Sequence, residues 1–311
     1  MTLAILGAGA FGTALACVWG AEGTPVTLVA RDGAEEMERL RVNGRRLPGV
    51  ELPSTVTVTN DMEDARSADV LALVVPAQQV RAALEDLQPR GTVVVCAKGI
   101  ERGGGGGLMS SLPARRLAVL SGPGFANEIA RGLPTAMTLA ATSDALALAK
   151  ALSRPSFRLY SSDDMDGVAA GGALKNVGAL AVGMAEGLDL GASAKAALVT
   201  RFHAEMTRLG TALGGRAETF AGLSGMGDLV LTCGPGSRNF TYGMALARGE
   251  DLADRPLAEG VATADAASRL ARERGIEAPV VEAVAAILRG SLGPAEAIEK
   301  LMTRPIRAEG E

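Results

Sequence analysis

The chain has few aromatics, almost no histidine and little cysteine. Only 3% of its 311 residues are aromatic, so Ala, Leu and Val must fill the cores within a hydrophobic total of 48%. The single histidine, His203, cannot complete a Cys/His zinc site, and Cys17, Cys96 and Cys233 lie far apart with no C-x-x-C among them. No metal centre is expected, and the scattered thiols point to a reducing, cytoplasmic compartment. Basic residues are not in excess. A net charge of −4 lacks the cationic face a general nucleic-acid binder uses to displace counterions. The apolar N-terminus has no positively charged start and is punctuated by Gly7, Gly9 and Gly12, so it does not read as a signal peptide. A second apolar run, Val168 to Met184, is broken at its middle by Lys175 and Asn176, which argues against a membrane span.

Glycine, by contrast, is abundant: forty residues imply close backbone contacts and many special turns. At roughly 100–200 residues per domain, the length suggests two domains. The first half alternates β-rich runs with helical stretches. Leu3–Leu6, Val26–Val29, Thr55–Thr59, Val70–Val75, Thr92–Ala97 and Leu117–Leu120 read as strands, and Thr135–Ala141 and Phe157–Tyr160 as further ones, with a helix near Asp144 to Leu152 between them. The alternation among the first six predicts a parallel sheet covered on both faces. Beyond about Ser161 no convincing strand follows. Ser193 is a candidate helix cap, Leu198, Phe202, Met206 and Leu213 recur at helical spacing, Gly275 is a stop, and Pro279 and Pro294 suit first turns. The expectation is an α/β fold: residues 1–161 a doubly wound sheet, residues 162–311 an all-helical domain. The run Gly103–Gly107 reads as a flexible surface loop.

Leu3–Leu6 leads straight into Gly7-Ala8-Gly9-Ala10-Phe11-Gly12, and a helical stretch follows. In a G-x-G-x-x-G the first glycine permits the tight turn, the second lets backbone approach a pyrophosphate, and the third lets helix and strand pack closely. The helix N-terminus supplies N–H donors and partial positive charge. The pattern alone is weak; its place between a strand and a helix makes it a Rossmann-like dinucleotide signal. After the second strand stand Arg31 and Asp32. An acid there favours NAD, and an Arg accommodates the 2′-phosphate of NADP. They also fit an exposed charge pair opening the next helix. Arg31 follows the strand directly, so NADPH is favoured over NADH.

Lys175 is costly to bury unless it is paired or loses its proton. In an apolar helix it either snorkels to the surface or serves as a general acid or base with a pKa brought toward neutrality. The helix alone does not separate these readings.

Other segments do. Gly172-Ala173-Leu174-Lys175-Asn176 resembles the catalytic helix motif of bacterial glycerol-3-phosphate dehydrogenases. Ser121-Gly122-Pro123-Gly124-Phe125-Ala126 resembles that family's S-G-P-x-F-A, and Ala97-Lys98-Gly99 its T-K-G. Leu223 to Leu229 resembles its G-x-G-D-L, Ser237-Arg238-Asn239 its S-R-N, and Ala258-Glu259-Gly260 part of its V-E-G. The motifs keep the family's order over residues 7 to 260. Three features depart: Gly124 stands where the family often has Thr, the Asp228–Ser237 segment is short and glycine-rich, and five glycines replace a helical stretch.

The resemblance implies reduction of dihydroxyacetone phosphate to sn-glycerol 3-phosphate by NAD(P)H, reversibly, supplying phospholipid synthesis. Lys175 is then the catalytic general acid. Gly7, Gly9, Ala10, Phe11, Gly12, Arg31, Lys98, Ala126, Arg238, Leu257 and Glu259 line the cofactor site. Lys98, Gly122, Gly124, Lys175, Asp228, Ser237, Arg238 and Asn239 line the substrate site. Lys98 reaches both ligands, and its charge helps depress Lys175. Asp228 orients Lys175 or binds a substrate hydroxyl, and Arg238 clamps the phosphate. A homodimer is implied as well. His203 belongs to no motif and reads as a packing residue. Two rivals remain: a 3-hydroxyacid dehydrogenase, which resembles this layout but carries an Asn four residues after its Lys, where this chain has Ala179; and an NADP-sensing module, in which Lys175 or Lys98 would be lost.

Overall fold

The computed structural model describes residues 1–101, 107–253, 255 and 258–305. Leu257 and most of the predicted glycine loop (Gly103 to Gly106) lie outside them.

Eight strands form one sheet in the order β3-β2-β1-β4-β5-β6-β7-β8. They are β1 (Leu3–Leu6), β2 (Val26–Val29), β3 (Val56–Thr59), β4 (Val70–Leu73), β5 (Thr92–Val95), β6 (Leu117–Ser121), β7 (Thr135–Ala141) and β8 (Phe157–Ser162). The first six run parallel; β7 turns antiparallel to β6, and β8 runs parallel to β7. The parallel expectation for the first six strands holds, and β7, whose direction the sequence left open, reverses. Between β6 and β7 lies only the five-residue α5 (Ala126–Ala130), not a full crossover helix of the kind a parallel return uses. The other helices among the strands are α1 (Ala10–Gly20), α2 (Ala34–Leu40), α3 (Met62–Ser67), α4 (Val80–Leu87) and α6 (Ala145–Leu152).

The helical half comprises α7 (Met165–Gly187), α8 (Gly191–Ala212), α9 (Ala217–Phe220), α10 (Asp228–Thr232), α11 (Arg238–Ala247), α12 (Glu259–Arg274), α13 (Pro279–Leu288) and α14 (Pro294–Met302). Ser193 lies inside α8 and caps nothing, because the helix starts two residues earlier at Gly191. Gly275 takes the left-handed conformation that ends α12, and Pro279 and Pro294 open their helices.

Strand side chains alternate between two cores. Leu3 and Ile5 of β1 join one cluster with α1, β2 and β3. Ala4 and Leu6 point the other way, into a cluster that runs without a break into Ala170, Leu174 and Val177 of α7. The helical half thus docks on one face of the sheet. Every residue from Gly167 to Ala185 is buried, as a helix apolar all round requires. The helix has the length and hydropathy of a membrane span, and that apolar window is wholly buried inside the protein. Glycines let its neighbours come close: an added Cβ at Gly183 would stand 2.1 Å from the Phe240 carbonyl oxygen.

Candidate active site

The sheet order reverses between β1 and β4, and ligands of open α/β sheets bind at such a switch point, off the carboxyl ends of the strands. Gly7 leaves β1 there with φ +115°, a left-handed value that disfavours a side chain, and an added Cβ would lie 2.5 Å from the Val74 carbonyl oxygen beyond β4. At Gly12 an added Cβ would lie 2.0 Å from the Gly7 carbonyl oxygen, so α1 can approach β1 only with glycine there. Gly9 caps α1 without a side-chain hydrogen bond, and a Cβ on it would meet nothing within 4 Å. The first-turn amides of α1 therefore open onto free space, which fits a dinucleotide pyrophosphate. Ala10 and Phe11 form that first turn. Arg31 and Asp32 stand between β2 and α2 as an exposed pair, Nε to Oδ2 3.2 Å, the arrangement that also suits a plain surface charge pair.

Lys98 follows β5 and Lys175 sits mid-way along α7; Asp228 joins them. Lys175 Nζ donates to Asp228 Oδ1 at 2.5 Å, and Lys98 Nζ donates to Asp228 Oδ2 at 2.6 Å. Asp228 is 1% exposed. It is presented at the start of α10 by a π-helical turn over Leu223–Gly227, an irregularity frequent at functional sites. Both of its oxygens are engaged by lysines, an arrangement suited to orienting the cations and leaving less room for a substrate hydroxyl. Lys98 Nζ also donates to the Gly122 carbonyl at 2.9 Å.

Burial pushes the Lys175 ammonium down to about 8; Asp228 opposes this, and the neighbouring Lys98 charge adds to it. The dominant cause is therefore desolvation, with the Lys98 charge a smaller one. Burial raises the Asp228 carboxyl, but Lys175 and Lys98 overcome it and hold the group below the usual carboxylate range. An anionic Asp228 thus faces a lysine whose proton is transferable near neutral pH.

One partner of this cluster was missed in sequence, and one neighbour was named there without a role. Thr232 Oγ1 accepts from Lys175 Nζ at 2.8 Å; its signal was the four-residue spacing from Asp228, which puts both on one face of α10. Asn176 Oδ1 accepts from Asn239 Nδ2 at 2.9 Å, while Asn176 Nδ2 is buried without a partner. Asn239 Oδ1 in turn accepts from the Gly260 amide at 2.9 Å. Asn239, predicted to bind substrate, is thereby committed to tying α7, α11 and α12 together. Ser237 caps α11, accepting from the Phe240 amide at 3.4 Å. Arg238, by contrast, is exposed at the first position of that helix. It lies near enough to Glu259 to act on its charge: burial raises the Glu259 carboxyl, against the pull of Arg238, Lys98 and Lys175. Glu259 therefore belongs to the same electrostatic cluster.

The 121–126 segment closes the group. A Cβ at Gly236 would lie 2.9 Å from the Phe125 ring, which brings the loop before Arg238 onto this segment. Ala126 begins α5, against the same wall. At Gly124 a Cβ would meet Ile129 Cδ1 at 2.9 Å and Thr135 Cγ2 at 3.3 Å. The space a threonine there would use is taken by these neighbours. His203 stands elsewhere on α8, its Nε2 bonded to the Phe220 carbonyl at 2.9 Å.

Two family models match the chain: the NAD-dependent glycerol-3-phosphate dehydrogenase N-terminus over residues 2–147 and the corresponding C-terminus over residues 164–299. A glycerol-3-phosphate dehydrogenase [NAD(P)+] of Chelativorans sp. is 51% identical, covering 99% of this chain and 98% of its own. One of Bradyrhizobium sp. is 52% identical at the same coverage. The crystal structure of glycerol-3-phosphate dehydrogenase from Coxiella burnetii superposes with a TM-score of 0.88 at 36% identity, covering 97% of this chain and 99% of that one. With the glycine turn after β1, the Lys175–Asp228–Lys98 cluster and these matches in agreement, the chain belongs to the NAD-dependent glycerol-3-phosphate dehydrogenase family.

Proposed function

We propose that the protein interconverts dihydroxyacetone phosphate and sn-glycerol 3-phosphate, with Lys175 as the proton-transferring group. The observation that carries this is the Lys175–Asp228–Lys98 cluster, in which Lys175 and Asp228 are buried, with Nζ–Oδ distances of 2.5 and 2.6 Å and the Lys175 pKa brought down to about 8. The nicotinamide of NAD(P)H supplies the hydride to C2 when bound. Lys175 Nζ gives its proton to the developing C2 alkoxide and takes it back in the reverse direction. Asp228 stays ionised, aims Lys175 and offsets the cost of two adjacent ammonium groups. Residues 1–161 hold the cofactor through Gly7, Gly9, Gly12 and the first turn of α1, and residues 162–311 supply the proton donor and the phosphate grip. Arg238 takes the phosphate, helped by the amides at the start of α11, since Ser237 and Asn239 serve the local fold. NADPH is used at least as well as NADH, through Arg31. A cytoplasmic homodimer completes the reading, in keeping with three unpaired cysteines.

The test is oxidation of NADPH with dihydroxyacetone phosphate compared with a 3-oxoacid. Turnover restricted to the phosphorylated ketone is expected. Preference for the 3-oxoacid would move the enzyme to another dehydrogenase class, and cofactor binding without turnover on either would make it a sensor.

A further inference from the structure

Away from the lysine cluster, the helical half carries a half-open groove of about 520 Å³ between α7, α8, α13 and α14. Its walls include none of Lys98, Lys175, Asp228 or Arg238. Well-packed interiors leave few voids larger than a water molecule, and small-molecule sites range over about 300–1,000 Å³. The volume is within the range of a small-molecule site.

The lining is graded. Met184, Ala185, Val280 and Val284 are buried and form an apolar floor. Arg201, Arg208 and Arg304 also line the cavity, and all three are exposed, so the charge is gathered at the open side. The acids present are already engaged. Both oxygens of buried Glu205 accept amides at the start of α13, from Val280 at 2.9 Å and Val281 at 3.1 Å. Glu277 pairs with Arg304 through its carboxylate, and its carbonyl accepts from Arg208 at 3.1 Å. Among the described residues Arg201 makes no ion pair, so the rim offers a cation to an incoming anion. Among the described residues no aromatic ring lines the cavity, so nothing there stacks a flat ligand; an alkyl chain needs only such aliphatic walls.

We propose that this cavity binds a linear anionic amphiphile of the medium-chain fatty carboxylate class. The alkyl chain lies along α7 and α13, and the carboxylate meets Arg201 at the rim. The site is independent of the catalytic reading, although α7 carries both Lys175 and part of the cavity wall.

Dodecanoate, kept below its micelle concentration, is titrated into the full chain by calorimetry. Saturable binding at one site per chain is expected. Affinity should fall about fourfold for each methylene removed on going to decanoate and octanoate, and dodecyltrimethylammonium should not compete. Arg201→Glu should weaken dodecanoate at least tenfold, and Ala283→Phe, which fills the cavity, should abolish binding; both should leave turnover unchanged. Comparable binding of the cationic amphiphile, indifference to both substitutions, or displacement of dodecanoate by NADPH would overturn the proposal. So would failure of native protein to bind dodecanoate. If sedimentation then shows a native dimer that Ala283→Phe dissociates, a second copy of the chain covers the cavity instead. Binding to phosphatidylglycerol vesicles without binding of free dodecanoate overturns it in favour of a lipid surface. The comparison of amphiphiles on native protein needs no variant to fold.

Discussion

The two halves of the molecule build their parts of the site from opposite materials. In the sheet half, the nucleotide turn depends on side chains being absent: Gly7 and Gly12 are the places where a Cβ would strike backbone at 2.5 and 2.0 Å. In the helical half the working parts are buried side chains, Lys175, Asp228, Thr232 and Asn176, each tied to another by hydrogen bonds or left with an unfilled one. A backbone site holds a ligand by shape and amide direction and changes no proton affinity. A buried side-chain site pays a desolvation cost and in return shifts a pKa into a useful range. On the proposed roles, cofactor binding and proton donation are separable, and substitutions should separate them.

The sharpest separation is expected from Lys175→Ala. Loss of a positioned general acid costs about 10²–10⁴-fold in turnover, while NADPH affinity, measured by fluorescence titration, stays native because the nucleotide turn is untouched. Parallel loss of cofactor affinity would show that the two halves do not act separately.

Within the sheet half, Gly12→Ala and Gly9→Ala make a matched pair. The first forces a methyl to 2.0 Å from a carbonyl oxygen and should cost about 1–3 kcal/mol or more in stability, read as a lowered Tm. The second adds a methyl with nothing within 4 Å, so Tm should hold while NADPH affinity falls, since the methyl faces the ligand. A normal affinity in Gly9→Ala would remove the pyrophosphate from that position.

Arg238→Ala should lower kcat/KM on dihydroxyacetone phosphate by one to two orders of magnitude for each charge-assisted bond removed, at about 1.5–3 kcal/mol per bond. Activity on unphosphorylated dihydroxyacetone should change little. Because Arg238 is also assigned to the cofactor, the KM for NADPH is followed in parallel; equal losses on both substrates with cofactor binding intact would take Arg238 off the phosphate.

Arg31→Ala is expected to have the smallest effect, a few-fold shift of the NADPH/NADH ratio of kcat/KM toward NADH. Arg31 is 88% exposed in its side chain, and exposed ion pairs are worth about 0–1 kcal/mol. An unchanged ratio would leave Arg31 and Asp32 as a surface pair.

The halves also differed in how much of them could be read in advance. Strand positions matched to within about two residues, because β-rich runs and glycine turns report locally. The direction of β7 could not be read, since it depends on how the short α5 connection packs. Lys175 stood out only as a charge in an apolar helix; its partners were hidden because Asp228 is 53 residues away and Lys98 a further 77 before Lys175. Thr232 was within reach through its spacing from Asp228. The roles of Asn239 and Ser237 in tying and capping helices were not, because a motif match records which residues recur and says nothing of which hydrogen bonds they already make.

The most direct measurement is the pH dependence of kcat/KM in both directions, followed above pH 7. If Lys175 gives up its proton in the reduction of dihydroxyacetone phosphate, it must be protonated to act. Its pKa of about 8 then makes the reduction fall as pH rises through that value, while oxidation of glycerol 3-phosphate, which needs the neutral amine, rises over the same range. Opposite slopes crossing near pH 8, both lost in Lys175→Ala, are the predicted result. The same slope in both directions, or an inflection near pH 8 that survives in Lys175→Ala, would contradict the assignment of Lys175 as the proton donor.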